Sequence, residues 1–389
     1  MHDICGTRIL ALLSLPRGDF PGSGLAKSCL LSIREKRTIM QHYQSFLFTD
    51  KRGGYFEMNG KKRRAGLRLD MPRRPRIMPE SPPTFPPFPG WARLRTPPES
   101  AADAGFAAGA ALAAIHPIAR GEHPLGGLWR QRLALGNAAV LVGQAGRTED
   151  EAALRDAWYL RRDDDDPGPA GRILRTWRAL SERAAMQPEN WTLRLAAALE
   201  LRLDDAFEDI VAVATQLAKG DGPAIAAAAE IAAVSMKLRP DSELLALWLA
   251  DAVLAHRLKW PAPVPLLAGQ IRRADLRAAP AHVEGESVWL TMCATGYARA
   301  AATAFDLYAD LARRALRLLA IAPKLRAKDA DLMIAILIGE DAQPAKTGKA
   351  TAISTTSSER SNRRLFERLV SLGAVRELTG RSSFRLYGL

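Results

Sequence analysis

The sequence predicts a mainly α-helical protein, in which an Ala/Leu-rich, bundle-like body is closed by a small winged-helix-like module of one helix and a β-hairpin. Two observations predict the body: residues 101–340 are rich in Ala, Leu and Arg, and their apolar residues recur at spacings of three and four. A third observation predicts the module. After one more amphipathic stretch, the pattern changes at Gly373 to the alternation that is typical of strands.

The helical spacing divides the body into separate segments. These are residues 101–115, 128–143, 149–161, 170–185, 191–203, 205–218, 223–237, 242–258, 286–320 and 328–340. Thr148, followed by Glu151, predicts a capping box, and Ser242 is predicted to open a later helix. The eight Trp residues lie between Trp91 and Trp289, where we expect them to fill gaps between closely spaced helices rather than to bind a ligand.

The composition of the chain predicts five regions. Residues 1–78 are basic and lack an apolar period, so we expect them to be disordered or to be an upstream extension that is not part of the native domain. The other regions are a Pro-rich extended segment (79–100), the all-helical body (101–340), a polar linker (341–357) and the winged-helix-like module (358–389).

The net charge of +13 is unevenly distributed along the chain. Residues 1–78 contain 16 Lys/Arg and 6 Asp/Glu, and residues 344–389 contain 9 and 3, whereas residues 79–343 contain 30 and 33. The body is therefore slightly acidic. Of the two basic ends, only the C-terminal one is predicted to be folded, so only its charge supports a binding surface on folded structure.

The cysteines and the hydropathy pattern exclude several classes of protein. Cys5, Cys29 and Cys293 are odd in number and far apart, which argues against a disulfide framework and favours a cytoplasmic location. Since no run of about 18 apolar residues occurs, we expect no membrane span.

No motif in the sequence predicts a catalytic residue, a metal site or a cofactor. The acidic run Asp163 to Asp166 lacks the alternating spacing of a calcium loop, so we interpret it as an exposed turn that caps the next helix. The histidines have no metal-ligand spacing, and neither a GxSxG nucleophile motif nor a phosphate-binding loop is present. An enzyme whose groups converge from distant positions remains a third hypothesis.

The terminal module begins with an amphipathic helix. Its predicted apolar sector consists of Leu365, Phe366, Leu369, Val370 and Leu372, and its opposite face is basic. Gly373 then supplies the left-handed residue that ends a helix.

Two short strands, 375–378 and 384–387, are predicted to follow, joined by a turn with Arg381 at its tip. In a winged helix, this order places the helix in the major groove and the hairpin on a phosphate or in the minor groove. DNA is therefore one predicted partner. The residues that would contact it are Arg360, Arg363, Arg364 and Arg368 on the helix and Arg381 and Arg385 on the hairpin.

A second hypothesis is a helical protein-interaction module that does not bind nucleic acid. A helix and a hairpin are a common way to end a domain, and an exposed basic face is often only solvated. A helix-turn-helix also needs a supporting helix, whereas residues 342–357 are polar and contain Ile353 as their single large apolar residue.

Three stretches carry a resemblance to a known family: FPGWAR from Phe88, GRTEDEAALRDA from Gly146 with DPGPAG from Asp166, and RRLF from Arg363 through the final Leu389. Together they resemble the bacterial domain-of-unknown-function family 1403, over about residues 85–389. That family has no established activity. The ending GAVRELTGRSSFRLY is also similar to the winged-helix tails of Fic-type proteins. Because the Fic catalytic pattern HPFxxGNGR is absent, the resemblance does not imply AMP transfer.

Overall fold

α-Helices dominate the secondary structure, which confirms the mainly α prediction. The computed structural model describes residues 79–161, 165–282, 288–325, 330–344, 359–379 and 384–389. The segment 1–78, which the sequence predicts to be disordered or an upstream extension, lies outside the described residues. The described residues belong to one compact unit, Arg74–Leu389.

The helices follow the predicted segments closely. Their bounds are α1 (Ala101–Arg120), α2 (Gly126–Gln144), α3 (Glu151–Tyr159), α4 (Gly168–Leu180), α5 (Trp191–Leu199), α6 (Asp205–Lys219), α7 (Ala224–Leu238), α8 (Glu243–Arg257), α9 (Arg273–Ala278), α10 (Val288–Ile321), α11 (Ala330–Gly339) and α12 (Glu359–Ser371). The six-residue α9 was not predicted, because it is too short to show a helical period.

The pair α1 and α10 has the most extensive contact between any two described helices. Ala104, Ala108 and Ala111 on α1 are fully buried, and their small side chains allow the 34-residue α10 to come close. By length and composition, α1 is the one helix among the described residues that could cross a membrane. Here one face of α1 packs along α10.

Bulky tryptophans fill the spaces between the Ala-rich helices. Trp129, Trp191 and Trp248 are essentially fully buried, and the indole N–H of Trp129 donates to the Ala304 carbonyl of α10 at 2.8 Å. The expectation that the tryptophans are core residues is wrong for Trp91, which is 70% exposed. Trp91 lies on a single 3₁₀ turn (Gly90–Ala92) within the Pro-rich segment, at the edge of the helical body, where its ring is left largely uncovered.

One predicted helix cap differs from that in the structure. The side chain of Asp150, not that of Thr148, caps α3 by accepting the Ala153 N–H at 2.8 Å. The sequence contains neighbouring residues that could cap this helix, and tertiary packing selects among them. The start of α8 directly after Ser242 agrees with the prediction, and the Ser242 hydroxyl donates to the Arg239 carbonyl.

The Pro-rich segment packs its aromatic residues onto α10. The ring of Phe85 lies 5.4 Å from that of Tyr308, and the ring of Phe88 lies 5.5 Å from that of Phe305. The Tyr308 hydroxyl also donates to the Pro83 carbonyl at 2.8 Å. The extended part of this segment, before the 3₁₀ turn, is thus held by its aromatic side chains and by a donor from the body.

A three-stranded antiparallel sheet joins the terminal module to the body. Its strands are β1 (Gln343–Pro344), β2 (Arg376–Glu377) and β3 (Leu386–Gly388), and β3 is the central strand. The sequence predicted the hairpin of β2 and β3, but β1 falls within the predicted polar linker. Residues 345–358 of that linker lie outside the described residues.

Asp251 is a fully buried carboxyl group on α8 that holds the loop after this helix. It accepts the backbone N–H groups of Leu266 at 2.8 Å and Leu267 at 3.2 Å. Burial raises the pKa of Asp251 to about 7, although these two hydrogen bonds and the nearby Tyr297 hydroxyl act in the opposite direction. The folded protein therefore keeps a proton on Asp251 at pH values where the unfolded chain has released it.

We expect Asp251 to make the protein less stable as the pH rises from about 4 to about 7. A raised folded-state pKa contributes stability that is complete below the unfolded pKa and disappears as the pH rises through the folded one. The free energy of unfolding should fall by at most about 4 kcal/mol across this window. Denaturant titrations at several pH values measure the free energy of unfolding. In Asp251→Asn, the part of its pH dependence that comes from Asp251 should be absent. The exposed Asp221→Asn is the control, and parallel curves for wild type and Asp251→Asn would contradict the prediction.

Candidate nucleic-acid interface

Gly373 closes helix α12 just after its last residue, as the sequence predicts. Gly373 has a φ of 65°, which is the left-handed conformation that glycine adopts without strain. Its N–H bonds the Val370 carbonyl at 2.9 Å, and the Ala374 N–H bonds the Leu369 carbonyl at 3.0 Å. This pair of hydrogen bonds is a Schellman motif, and it turns the chain from α12 into β2.

The inner face of α12 packs against the sheet. Leu365, Phe366 and Leu369 are buried, and the Phe366 ring stacks on the Tyr387 ring of β3 with centroids 4.4 Å apart and planes at 10°. The predicted apolar sector included Val370, but this residue is 40% exposed. A helix lying on so small a sheet is covered along a narrow stripe only.

The outer face of α12 is basic and open to solvent. Arg360, Arg363, Arg364 and Arg368 are all exposed. Arg363 approaches Glu367 at 3.8 Å, whereas the other three arginines have no ion-pair partner among the described residues. The structure therefore brings the four predicted helix arginines together on one exposed surface, which we call the α12 basic face.

The hairpin contributes less than the sequence suggests. Arg385 is exposed but pairs with Glu377 of β2 at 3.3 Å, so its charge is partly compensated. The Leu386 N–H bonds the Thr379 hydroxyl at 3.1 Å, and this hydrogen bond helps to hold the two arms of the hairpin together. Arg381 lies outside the described residues.

A buried ionic cluster fixes the module to the helical body. We call it the Asp341 cluster: Asp341, which lies between α11 and β1, with Arg132 of α2, Arg155 of α3 and Arg178 of α4. The Arg155 Nε lies 2.9 Å from one carboxylate oxygen of Asp341, the Arg132 Nε contacts the other, and Arg178 is 4.0 Å away. The side chain of Asp341 is 1% exposed and those of the arginines 8–11%.

The three buried guanidinium groups carry more positive charge than the single Asp341 carboxylate can neutralise. Neighbouring polar and aromatic groups stabilise the remaining positive charge. Arg178 donates to the Tyr159 hydroxyl at 2.8 Å and lies 4.6 Å above the Trp158 ring. Arg132 donates to the backbone carbonyls of Asp341 at 3.1 Å and of Leu389 at 3.2 Å. Burial lowers the pKa of Arg132, and the Asp341 carboxylate offsets part of that effect.

The last strand leaves no room for a side chain where it meets the cluster. A Cβ atom built on Gly388 would lie 2.6 Å from the Asp341 carbonyl oxygen and 3.3 Å from the Arg132 guanidinium. Strand β3 is therefore in backbone contact with the residue that organises the cluster.

No local sequence pattern predicts the Asp341 cluster. Asp341 follows Glu340 directly after an apolar helix, and its arginines lie far away in three other helices. The sequence gives one indication of the cluster. Arg155 and Arg178 are charged residues that lie beside buried apolar positions of α3 and α4.

The metal-ligand candidates of the sequence form no metal site in the part of the chain that the structure describes. No cluster of three or more metal-ligating side chains occurs there. Asp166, at the end of the acidic run, accepts the Gly168 N–H at 3.0 Å and binds Arg172 at 3.0 Å, which is the role expected of a turn before α4. Asp163 and Asp164 of that run lie outside the described residues.

Comparison with known proteins identifies the family. The sequence profile of DUF1403, a protein family of unknown function, matches residues 79–389. The chain belongs to this family. No curated protein matches the chain. The DUF1403 match contains both the helical body and the terminal module, and it begins at the first residue that the structure describes.

Core and surface residues of α12 should respond differently to truncation in this DUF1403 protein. Phe366→Ala removes a fully buried ring and its stacking on Tyr387, so we expect a decrease of about 3–5 kcal/mol in the free energy of unfolding. Arg364→Ala on the exposed face should change it by no more than about 0.5 kcal/mol. Denaturant titration of the two variants measures both values. A large decrease for Arg364→Ala would show that the basic face packs against another part of the chain.

Asp341→Asn should be strongly destabilising because it leaves buried guanidinium groups without a counter-charge. We expect a decrease of about 3–5 kcal/mol in the free energy of unfolding. Asp306→Asn is the matched control. It breaks the Arg93–Asp306 pair, whose side chains are 36% and 56% exposed, and should cost no more than about 1 kcal/mol. Equal decreases in the two variants would contradict the importance assigned to the Asp341 cluster.

Proposed function

We propose that this protein binds DNA through the α12 basic face, as a DNA-associated and regulatory protein. The observation that carries the proposal is the exposure of Arg360, Arg364 and Arg368 on one helix face, with no ion-pair partner among the described residues. Elsewhere in the described chain, many arginines are held by carboxylates, such as Arg93 by Asp306 and Arg273 by Glu243. Exposed arginines on a rigid helix that are not held in this way can pair with phosphate groups.

The order of the terminal elements supports the same proposal. Helix α11, strand β1, helix α12 and strands β2 and β3 follow one another, and the sheet has the order β1-β3-β2. A winged helix has this strand order and presents the helix before the hairpin to the major groove. It also has a supporting helix between the first strand and that helix, at the place of residues 345–358, which lie outside the described residues. Strand β1 adds to the helix and hairpin that the sequence predicted. In this arrangement Arg385 lies on the wing.

Charge separation within the chain also favours a nucleic-acid partner at this end. Residues 344–389 carry 9 Lys/Arg and 3 Asp/Glu, whereas residues 79–343 carry 30 and 33. An acidic body would repel DNA while the terminal module attracts it, which orients the molecule during encounter. Because the Asp341 cluster joins the module to α2, α3 and α4, body and module would bind as one unit.

Salt dependence of binding tests the proposal. A mixed-sequence DNA duplex with a fluorescent label is titrated with the full chain at several salt concentrations, and anisotropy gives the affinity. Arg364→Ala/Arg368→Ala should weaken binding and lower the slope of log K against log salt by about 0.9 for each phosphate that the variant no longer neutralises. Arg120→Ala/Arg317→Ala is the matched control, because it removes two exposed arginines from α1 and α10. Equal weakening in both variants, or binding that ignores salt, would refute the assignment to α12.

A protein partner is the second candidate function, and one observation favours it. Trp91 and Phe106 are 70% and 68% exposed, with ring centroids 5.8 Å apart. An exposed aromatic pair of this size is typical of an anchor in a protein interface. Trp91→Ala should then abolish capture of such a partner without changing DNA affinity, so the two functions are separable in the same preparation.

A further inference from the structure

A cavity of about 620 Å³ opens on the helical body between α1, the start of α7 and the start of α10. Its wall is almost entirely apolar and includes Leu112 of α1, Ile225 of α7, Leu258 after α8 and Leu290 of α10. A volume of this size and an apolar wall are characteristic of pockets for small organic molecules. We call this space the α1–α7 cavity.

Two glycines of α1, Gly105 and Gly109, line the α1–α7 cavity, and both are exposed. A Cβ atom built on either would meet nothing within 4 Å. The packing of the fold therefore does not require glycine at these two sites, although glycine lowers the stability of a helix interior relative to alanine. Their lack of side chains leaves the space beside α1 open.

One polar side chain, His116, lines the cavity wall, and its orientation is defined. The Trp260 indole N–H, which can only donate, bonds the Nδ1 atom of His116 at 3.0 Å. In neutral His116 the proton is therefore on Nε2, and no described residue accepts it. An apolar cavity with a single fixed donor suits a ligand that has a single acceptor group.

We propose that the α1–α7 cavity binds an apolar small molecule whose one polar group accepts hydrogen bonds, of the chemical class of the fatty acids. The apolar chain would lie over Gly105 and Gly109 and against Leu258 and Leu290, and a carboxyl oxygen would accept the Nε2 proton of His116. This inference rests on the body alone and is independent of DNA binding by α12.

The test uses the full chain and cis-parinaric acid, a fluorescent fatty acid whose emission rises in an apolar site. Wild type should bind it saturably. Gly109→Leu places a side chain in the open space and should weaken binding by at least about tenfold, and Gly105→Leu gives a second, independent filling variant. Gly143→Leu is the matched control: Gly143 is also a helical glycine with open space at its Cβ position, but it lies on α2 and away from the cavity. It should bind like wild type.

The polar contact is tested separately at His116. His116→Phe keeps a ring but removes the donor and should weaken binding by about tenfold, whereas His116→Gln retains a donor and should preserve most of the affinity.

Melting curves should show that the two cavity-filling variants, Gly105→Leu and Gly109→Leu, remain as stable as wild type, because leucine favours helix over glycine.

Three results would overturn the proposal. They are absence of saturable binding by wild type, equal affinity in wild type and both leucine variants, and a wild-type dimer that Gly109→Leu converts to a monomer. In the last case the cavity is an interface between two copies of the chain. Mass measurement at the concentrations of the titration distinguishes this result from removal of a ligand site.

Discussion

The Asp341 carboxylate, buried among Arg132, Arg155 and Arg178, is the interaction on which the arrangement of the terminal module depends. A buried ion pair adds little stability compared with apolar packing, but it is costly to break, because unpaired buried charges have no solvent to replace their partner. The ion pairs of the cluster also form only when the four side chains occupy a narrow range of positions. It fixes where α2, α3 and α4 converge and where β1 begins.

Strand β1 connects the Asp341 cluster to the rest of the module. Gln343 pairs with Tyr387 of β3, and the Tyr387 ring stacks on Phe366 of α12. The outward direction of the α12 basic face therefore follows from a chain of contacts that starts in the helical body. Arginines that lie inside the protein hold its structure together, whereas those on α12 are exposed to solvent.

The sequence predicted the parts of the fold that depend on local patterns. The helices of the body follow from apolar residues spaced at three and four, and the end of α12 follows from Gly373, whose left-handed φ closes a helix. The four arginines of α12 were also predicted to share an exposed face, since the helical period alone places them there.

The features that the sequence did not predict depend on contacts between distant residues. Strand β1 has two residues and exists because β3 pairs with it, so no alternation could reveal it. Asp341 carries no local sign of its three partners. The exposure of Trp91 and Val370 likewise depends on how far the neighbouring elements extend over them, which helical periodicity does not determine.

The long sequence separations within the Asp341 cluster have a consequence for the order of folding. Arg132 and Arg155 precede Asp341 by 209 and 186 residues. Until residue 341 has been synthesised, the converging faces of α2, α3 and α4 carry these arginines without the carboxylate that they surround in the folded protein, so burying them is unfavourable. A carboxylate made late therefore completes the packing of helices made early.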